Sequence, residues 1–138
     1  MVGSTYVQLE RVTWLSVGCG VSIGALATAL LVINNLRDIP GDTRAGKRTL
    51  AVRLGDRNTR VLYALLMALP FVLLPFVAGL SGRPVAALGF AAILLSTPPL
   101  TAVLGGATGP ALIPVLAATA RVDLVYGVLV AIGLSIRV

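Results

Sequence analysis

Residues 14–36 read WLSVGCGVSIGALATALLVINNL, and the chain then turns abruptly polar, with RDIPGDTRAGKRTLAVRLGDRNTR over residues 37–60. The first run carries no charge and is long enough to cross a bilayer as a helix, which takes about 20 apolar residues. Trp14 suits an interfacial position at one end. Asn34 and Asn35 mark the polar boundary at the other. Three more apolar runs follow, over Val61 to Leu80, Val85 to Leu104 and about Val122 to Ile136. Ser81-Gly82-Arg83-Pro84 is a tight turn suited to an antiparallel helix hairpin. Prolines 70, 75, 98 and 99 fall inside these runs, where membrane helices tolerate them. The expected fold is an all-α membrane bundle of about four spans with short interfacial helices.

The whole chain agrees with this. Of its 138 residues, 57% are hydrophobic and 12% charged, and the mean hydropathy is +0.98. A soluble domain carries about 25% charged residues. A small soluble fold leaves too much surface exposed to hide this much apolar area, so most of the surface must face lipid. There is no histidine, and the single Cys19 lies inside an apolar run as a small buried residue.

Net charge is +6. The basic residues concentrate between the first two runs, at Arg37, Arg44, Lys47, Arg48, Arg53, Arg57 and Arg60. That asymmetry predicts a cytoplasmic loop over residues 37–60 and a multi-pass protein of the plasma membrane. Without a recognised motif or interleaved aromatics, the charge does not indicate nucleic acid. The same orientation puts Met1 to Thr13 and Val138 on the outer side. Residues 111–120 are expected as a short interfacial or re-entrant helix before the last run.

The chemistry lies in the polar stretch. Asn34, Asp38 and Asp42 are spaced at four, which puts them on one face of a continuous helix. Pro40 cannot donate to the Leu36 carbonyl, so a kink or a helix end is expected there. Two carboxylates and an amide oxygen make a hard donor set that suits magnesium, with phosphate oxygens completing its shell. Arg44, Lys47 and Arg48 follow at once and suit a phosphate clamp. The plainer alternative is a solvated boundary loop with Asp38 paired to Arg37, and Asp42 paired to Arg44 or Lys47. Outside the cluster, Asp56, Arg57 and Arg60 are expected to flank a short surface helix over residues 49–54. Tyr63 and Tyr126 are expected as interface anchors, with cavity lining the alternative, and Asp123 as a boundary partner of Arg121.

The run NNLRDIPGDTRAGKRTLAVRLGD, residues 34–56, resembles the second aspartate-rich motif and following loop of the UbiA-type membrane prenyltransferases. Within them it is most like the 1,4-dihydroxy-2-naphthoate polyprenyltransferases of menaquinone biosynthesis. The motif Asp-x3-Asp-x3-Gly is matched by Asp38, Asp42 and Gly46, and the run Gly46 to Gly55 is the more specific part. Residues 109–121 are similar in style to the last cytoplasmic loop of these enzymes, so the resemblance covers nearly the whole chain. It implies a nine-helix fold with two facing aspartate-rich motifs that hold Mg2+ on a polyprenyl diphosphate, whose prenyl group passes to an aromatic acceptor. Asp38 and Asp42 would be catalytic metal ligands, with Asn34 a further ligand, and Arg44, Lys47 and Arg48 would contact the diphosphate.

The family's first motif, Asn-x3-Asp-x3-Asp, is absent. The acidic residues are Glu10, Asp38, Asp42, Asp56 and Asp123, and those outside the cluster make no second site. Residues 1–138 are therefore expected to form the C-terminal half of such a domain, inactive without an N-terminal half, with a separate chain as one source of it. The alternatives are a non-catalytic remnant, a membrane interaction subunit, or a relative with another aromatic acceptor.

Overall fold

The computed structural model describes Gly3 and residues 12–136, so Glu10 and the terminal flanks placed on the outer side by charge lie outside the described residues. Helix α1 (Trp14–Arg44) is followed by α2 (Leu50–Ser81), a 3-10 stretch (Pro84–Ala92), α3 (Ile93–Leu104), a second 3-10 stretch (Gly109–Leu112) and α4 (Ile113–Ser135). There is no strand among the described residues. Four segments are long and apolar enough to cross a membrane: Trp14–Arg44, Leu50–Ser81, Pro84–Leu104 and Gly109–Ser135. The protein is an all-helical, multi-pass membrane protein.

Helix α1 starts at a capping box. Thr13 Oγ1 accepts from the Ser16 amide at 3.1 Å, and Ser16 Oγ accepts from the Thr13 amide at 3.3 Å. With 31 residues, α1 is about 46 Å long at ~1.5 Å per residue. The hydrocarbon core is only ~30 Å thick, so the charged end from Arg37 onward projects beyond it. The helix runs through Pro40 and ends one turn later, at Arg44. A proline in the final turns forfeits one ladder bond, and the end beyond it is closed by other means. Ala45, Gly46 and Lys47 donate their amides to the carbonyls of Gly41, Thr43 and Asp42, at 3.0, 3.1 and 2.9 Å. The last two bonds form a Schellman motif around Gly46, whose φ of +69° belongs to the left-handed region. The same device, with glycine after the helix end, closes α2 at Gly82 and α3 at Gly106.

Thr49 caps α2. The helix is broken at Gly55, with φ 76° and ψ 169°, so residues 50–54 form the short separate turn expected from sequence. One sequence expectation fails further along. Residues 113–120 are the first turns of α4 itself, not a separate interfacial helix, and the last span begins ahead of Val122. A 3-10 turn at Gly109–Leu112 leads directly into α4. Prolines 110 and 114 sit in the opening turns of these elements, where no ladder amide is needed.

The core lies where α1, α2 and α4 meet. Leu26, Ile33, Tyr63, Met67, Leu74, Val122 and Tyr126 are buried there. Tyr63 and Tyr126 were expected as interface anchors, and the structure corrects this: they are 0% and 1% exposed, and Tyr126 lines a recess between α1 and α4, the cavity-lining alternative. Tyr63 Oη and Thr119 Oγ1 are 2.7 Å apart, and Tyr126 Oη donates to the Pro70 carbonyl at 3.0 Å. A tyrosine with its hydroxyl satisfied inside a bundle has no need of the wet interface. A carbonyl oxygen has two lone pairs, so that of Pro70 can accept the Tyr126 hydroxyl in addition to a helical amide. Phe71 meets Tyr126 edge to face, with ring centroids 5.6 Å apart. At Gly133, a Cβ would stand 2.5 Å from Ala86 Cα and from the Val85 carbonyl, so α4 and the first 3-10 stretch are in backbone contact. Leu31, Leu65, Phe76, Leu94 and Leu124 point outward and are exposed, as lipid-facing residues should be.

Candidate functional site at the α1–α2 corner

The uninterrupted α1 puts Asn34, Asp38 and Asp42 on one face, at successive turns. Asn34 is half-buried. The Asp38 side chain is 41% exposed and that of Asp42 14% exposed. Arg37 grips Asp38 with two hydrogen bonds, Nε to Oδ1 at 2.8 Å and Nη2 to Oδ2 at 3.1 Å. Lys47 Nζ lies 3.6 Å from Asp42 Oδ1. Both pairings are those of the plain boundary-loop reading, and they leave the second oxygen of Asp42 open.

The Schellman turn explains the spacing of the motif. Gly46 reverses the chain so that the Lys47 amide reaches the Asp42 carbonyl while its ammonium reaches the Asp42 carboxylate. Arg44 Nε bonds the Pro40 carbonyl at 3.1 Å. Arg44, Lys47 and Arg48 are all exposed. One corner therefore presents two carboxylates a helical turn apart beside three cations. It joins Lys47 to Asp42, while Arg44 turns back to the Pro40 carbonyl, Arg48 makes no hydrogen bond or ion pair among the described residues, and Asn34 sits two turns below Asp42, deeper toward the bilayer.

The donor chemistry fits magnesium. Two hard carboxylates on one face match the one or two that such an ion takes from protein when phosphates and water fill the rest of its shell. A complete protein cage is not built, since no group of three acidic, histidine or cysteine side chains converges among the described residues.

A further anchor is visible only in three dimensions. Arg60 is 8% exposed. It holds Asp56 through two bonds, at 2.6 and 2.8 Å, and its Nη1 donates to the Val103 carbonyl near the end of α3. The corner is thereby tied to the third span. The sequence placed Asp56 and Arg60 beside the short helix but gave no sign of Val103. Asp38 and Asp56 lie beyond the apolar stretches, and the hydrogen bonds from Arg37 and Arg60 hold their carboxyls below the usual carboxylate range. Asp123 is not paired with Arg121: its Oδ1 is shielded and has no hydrogen-bond partner among the described residues. It lies well inside α4, away from the boundary where such a pair was expected.

Comparison with known proteins gives a consistent result. The profile of the UbiA prenyltransferase family matches residues 1–104. The chain is 44% identical over 135 residues to a 1,4-dihydroxy-2-naphthoate octaprenyltransferase of Mycobacterium tuberculosis, covering 98% of this chain and 46% of that protein. It is 41% identical over 137 residues to the enzyme of the same name from Mycobacterium leprae, covering 99% of this chain and 46% of that protein. The Escherichia coli enzyme of that name is 45% identical over 67 residues, 49% of this chain and 22% of that protein. The chain thus spans about half the length of the mycobacterial relatives it matches. No solved structure matches it.

Proposed function

The chain belongs to the UbiA prenyltransferase family, and from that premise we propose that it supplies the second aspartate-rich half of a site that moves a polyprenyl group from its diphosphate to 1,4-dihydroxy-2-naphthoate, in menaquinone biosynthesis. The observation that carries the reading is the α1–α2 corner, where Asp38 and Asp42 stand a turn apart on one face beside Lys47. Homology to naphthoate octaprenyltransferases supports the acceptor.

In this reading Asp38 and Asp42 would hold Mg2+, with Asn34 as a further ligand or orienting group. Bound magnesium would neutralise the diphosphate as it departs. Lys47 and Arg48 exchange their present surroundings for diphosphate oxygens, and Arg44 adds a forked donor at the rim. These fixed cations stabilise the charge that grows on the leaving group as the allylic C–O bond breaks. The Asp42–Lys47 pair keeps both groups in place until substrate arrives. The prenyl tail extends along the bundle into the bilayer, while the head stays at the cytoplasmic face of the plasma membrane. The opposing aspartate-rich motif comes from a segment outside these 138 residues, upstream on the same polypeptide or on a separate chain.

The test is prenyl transfer in nanodiscs, with this chain alone and co-assembled with a half that carries Asn-x3-Asp-x3-Asp. The expected result is magnesium-dependent formation of prenylated naphthoate by the pair only. Asp42→Asn should lower the rate on the order of 100-fold, the loss typical of removing one electrostatic catalytic group, with helix content unchanged. Turnover by the chain alone at the rate of the pair would overturn the half-site reading. Transfer to a different aromatic acceptor only would overturn the naphthoate assignment.

A further inference from the structure

Helix α4 carries a carboxylate that the site above does not use. Asp123 lies between the buried Thr119 and Tyr126, and its shielded Oδ1 has no hydrogen-bond partner among the described residues. At this depth a carboxyl group without a donor is costly, so the position calls for one.

The packing of α4 on α1 shows what Asp123 faces. Cys19 and Ile23 of α1 line an apolar recess of about 160 Å3 together with Gly127, Ala131 and Leu134 of α4. A Cβ on Gly127 would stand 3.4 Å from Ile23 Cδ1. The two helices therefore run antiparallel, with Ile23 opposite Gly127. Helical spacing puts Asp123 on the same flank of α4 as Leu116, Ala120 and Gly127. It puts Ala27, Leu30, Asn34 and Asp38 on the flank of α1 that continues from Ile23. Extending the Ile23–Gly127 contact by one turn along each helix pairs Ala27 with Asp123 in depth. The aspartate-rich motif and Asp123 thus lie along one seam, with Asp123 roughly 10 Å deeper than Asn34 at ~1.5 Å of rise per residue.

The allylic carbon is bonded directly to a diphosphate oxygen. With the diphosphate at Asp38 and Asp42, the attacking ring must lie just beyond it along this seam, between the depths of Asn34 and Asp123. Ala27 and Ala120 are small and exposed, and Gly127 has no side chain, so little side-chain bulk flanks Asp123 on this line. We propose that Asp123 contacts the acceptor. Its carboxylate accepts a hydrogen bond from a hydroxyl of the aromatic acceptor, fixing the ring and raising the electron density of the attacking carbon. The inference rests on the prenyl-transfer reading above.

The experiment uses the nanodisc-embedded protein with both aspartate-rich motifs. Binding of 1,4-dihydroxy-2-naphthoate and of its O-methylated analogue, which cannot donate a hydrogen bond, is followed by naphthoate fluorescence. The variants are Asp123→Asn and Asp123→Leu, and magnesium-dependent binding of geranylgeranyl diphosphate is measured in the same samples. The unaltered protein should favour the free hydroxyl on the order of 10-fold, as expected for a hydrogen bond to a charged group. Asp123→Leu should bind both compounds alike, and Asp123→Asn, which keeps an acceptor oxygen and the shape of the side chain, should discriminate to an intermediate degree. Diphosphate binding should be unchanged in both. Full discrimination by Asp123→Leu would overturn the proposal; if that variant fails to fold, full discrimination by Asp123→Asn together with its loss of only stability would do so. No discrimination by the unaltered protein would also overturn it. Failure of the unaltered protein to bind the diphosphate would instead overturn the prenyl-transfer reading, a separate result.

Discussion

The α1–α2 corner and the seam between α2 and α4 are both polar, yet they are built in opposite ways. At the corner the ion pairs are short in sequence, Arg37 with Asp38, Lys47 with Asp42 and Arg60 with Asp56, and the long-range bond there is the one from Arg60 to the Val103 carbonyl. In the seam, Tyr63 reaches Thr119 and Tyr126 reaches Pro70, each pair separated by 56 residues. The corner is shaped by helix ends and a glycine turn, and its charges stay within reach of water. The seam is shaped by packing, and its hydroxyls are satisfied by partners that only the fold supplies. A local device can be rearranged by a ligand at small cost to the bundle, whereas a buried one cannot. Substrate chemistry is accordingly expected at the corner and stability in the seam.

Breaking the seam should give the largest effect. Tyr126→Ala removes a fully buried ring, its contact with Phe71 and its bond to Pro70. A loss of about 3–5 kcal/mol is expected, as for other buried aromatics, measured by reversible unfolding in bicelles. Magnesium-dependent diphosphate binding by the variant that remains folded should change little. A seam that tolerated this change would remove the contrast.

The next effect tests the corner. Gly46→Ala puts a Cβ on a left-handed residue, at a cost of about 1–2 kcal/mol. Space is not the obstacle, since nothing lies within 4 Å of such a Cβ. The strain falls on the turn that brings Lys47 to Asp42, so diphosphate affinity should fall more than unfolding stability does. Equal losses in both would mean that the turn is only structural.

The smallest effect sharpens the account of the seam. Tyr63→Phe keeps the ring and deletes the hydroxyl that meets Thr119. Hydrogen bonds between membrane helices average about 0.6 kcal/mol, and Thr119 keeps its bond to the Val115 carbonyl at 2.8 Å. A loss of that order is expected in the same unfolding assay, with diphosphate binding unchanged.

Much of the site was legible because the corner is local. The spacing of Asn34, Asp38 and Asp42 needs only a helix to become a face, and Gly46 needs only a helix end to become a turn. Pro40 marked the approach of the helix end, which falls one turn later at Arg44 because the Schellman bonds around Gly46 close the helix there. The start of α4 was missed because Gly109, Pro110 and Pro114 look like breakers, whereas in place they form an opening 3-10 turn and first helical turn. Tyr63, Tyr126 and Asp123 were misplaced for a shared reason: an amphipathic or charged side chain near the end of an apolar run reads as a boundary residue until its distant partner, or the lack of one, is known.

The sequence by itself determined that this is a helical membrane protein, and it marked the residues at the α1–α2 corner. Apolar run length, charge placement and helical spacing act within one or two turns of chain, so they can be read from the order of residues alone. The tertiary structure decided that Arg60 ties the corner to the end of α3, that two tyrosines lock α2 to α4, and that Asp123 Oδ1 is shielded without a hydrogen-bond partner among the described residues. Those facts depend on which helix faces meet, and that is set by packing among residues far apart in the chain.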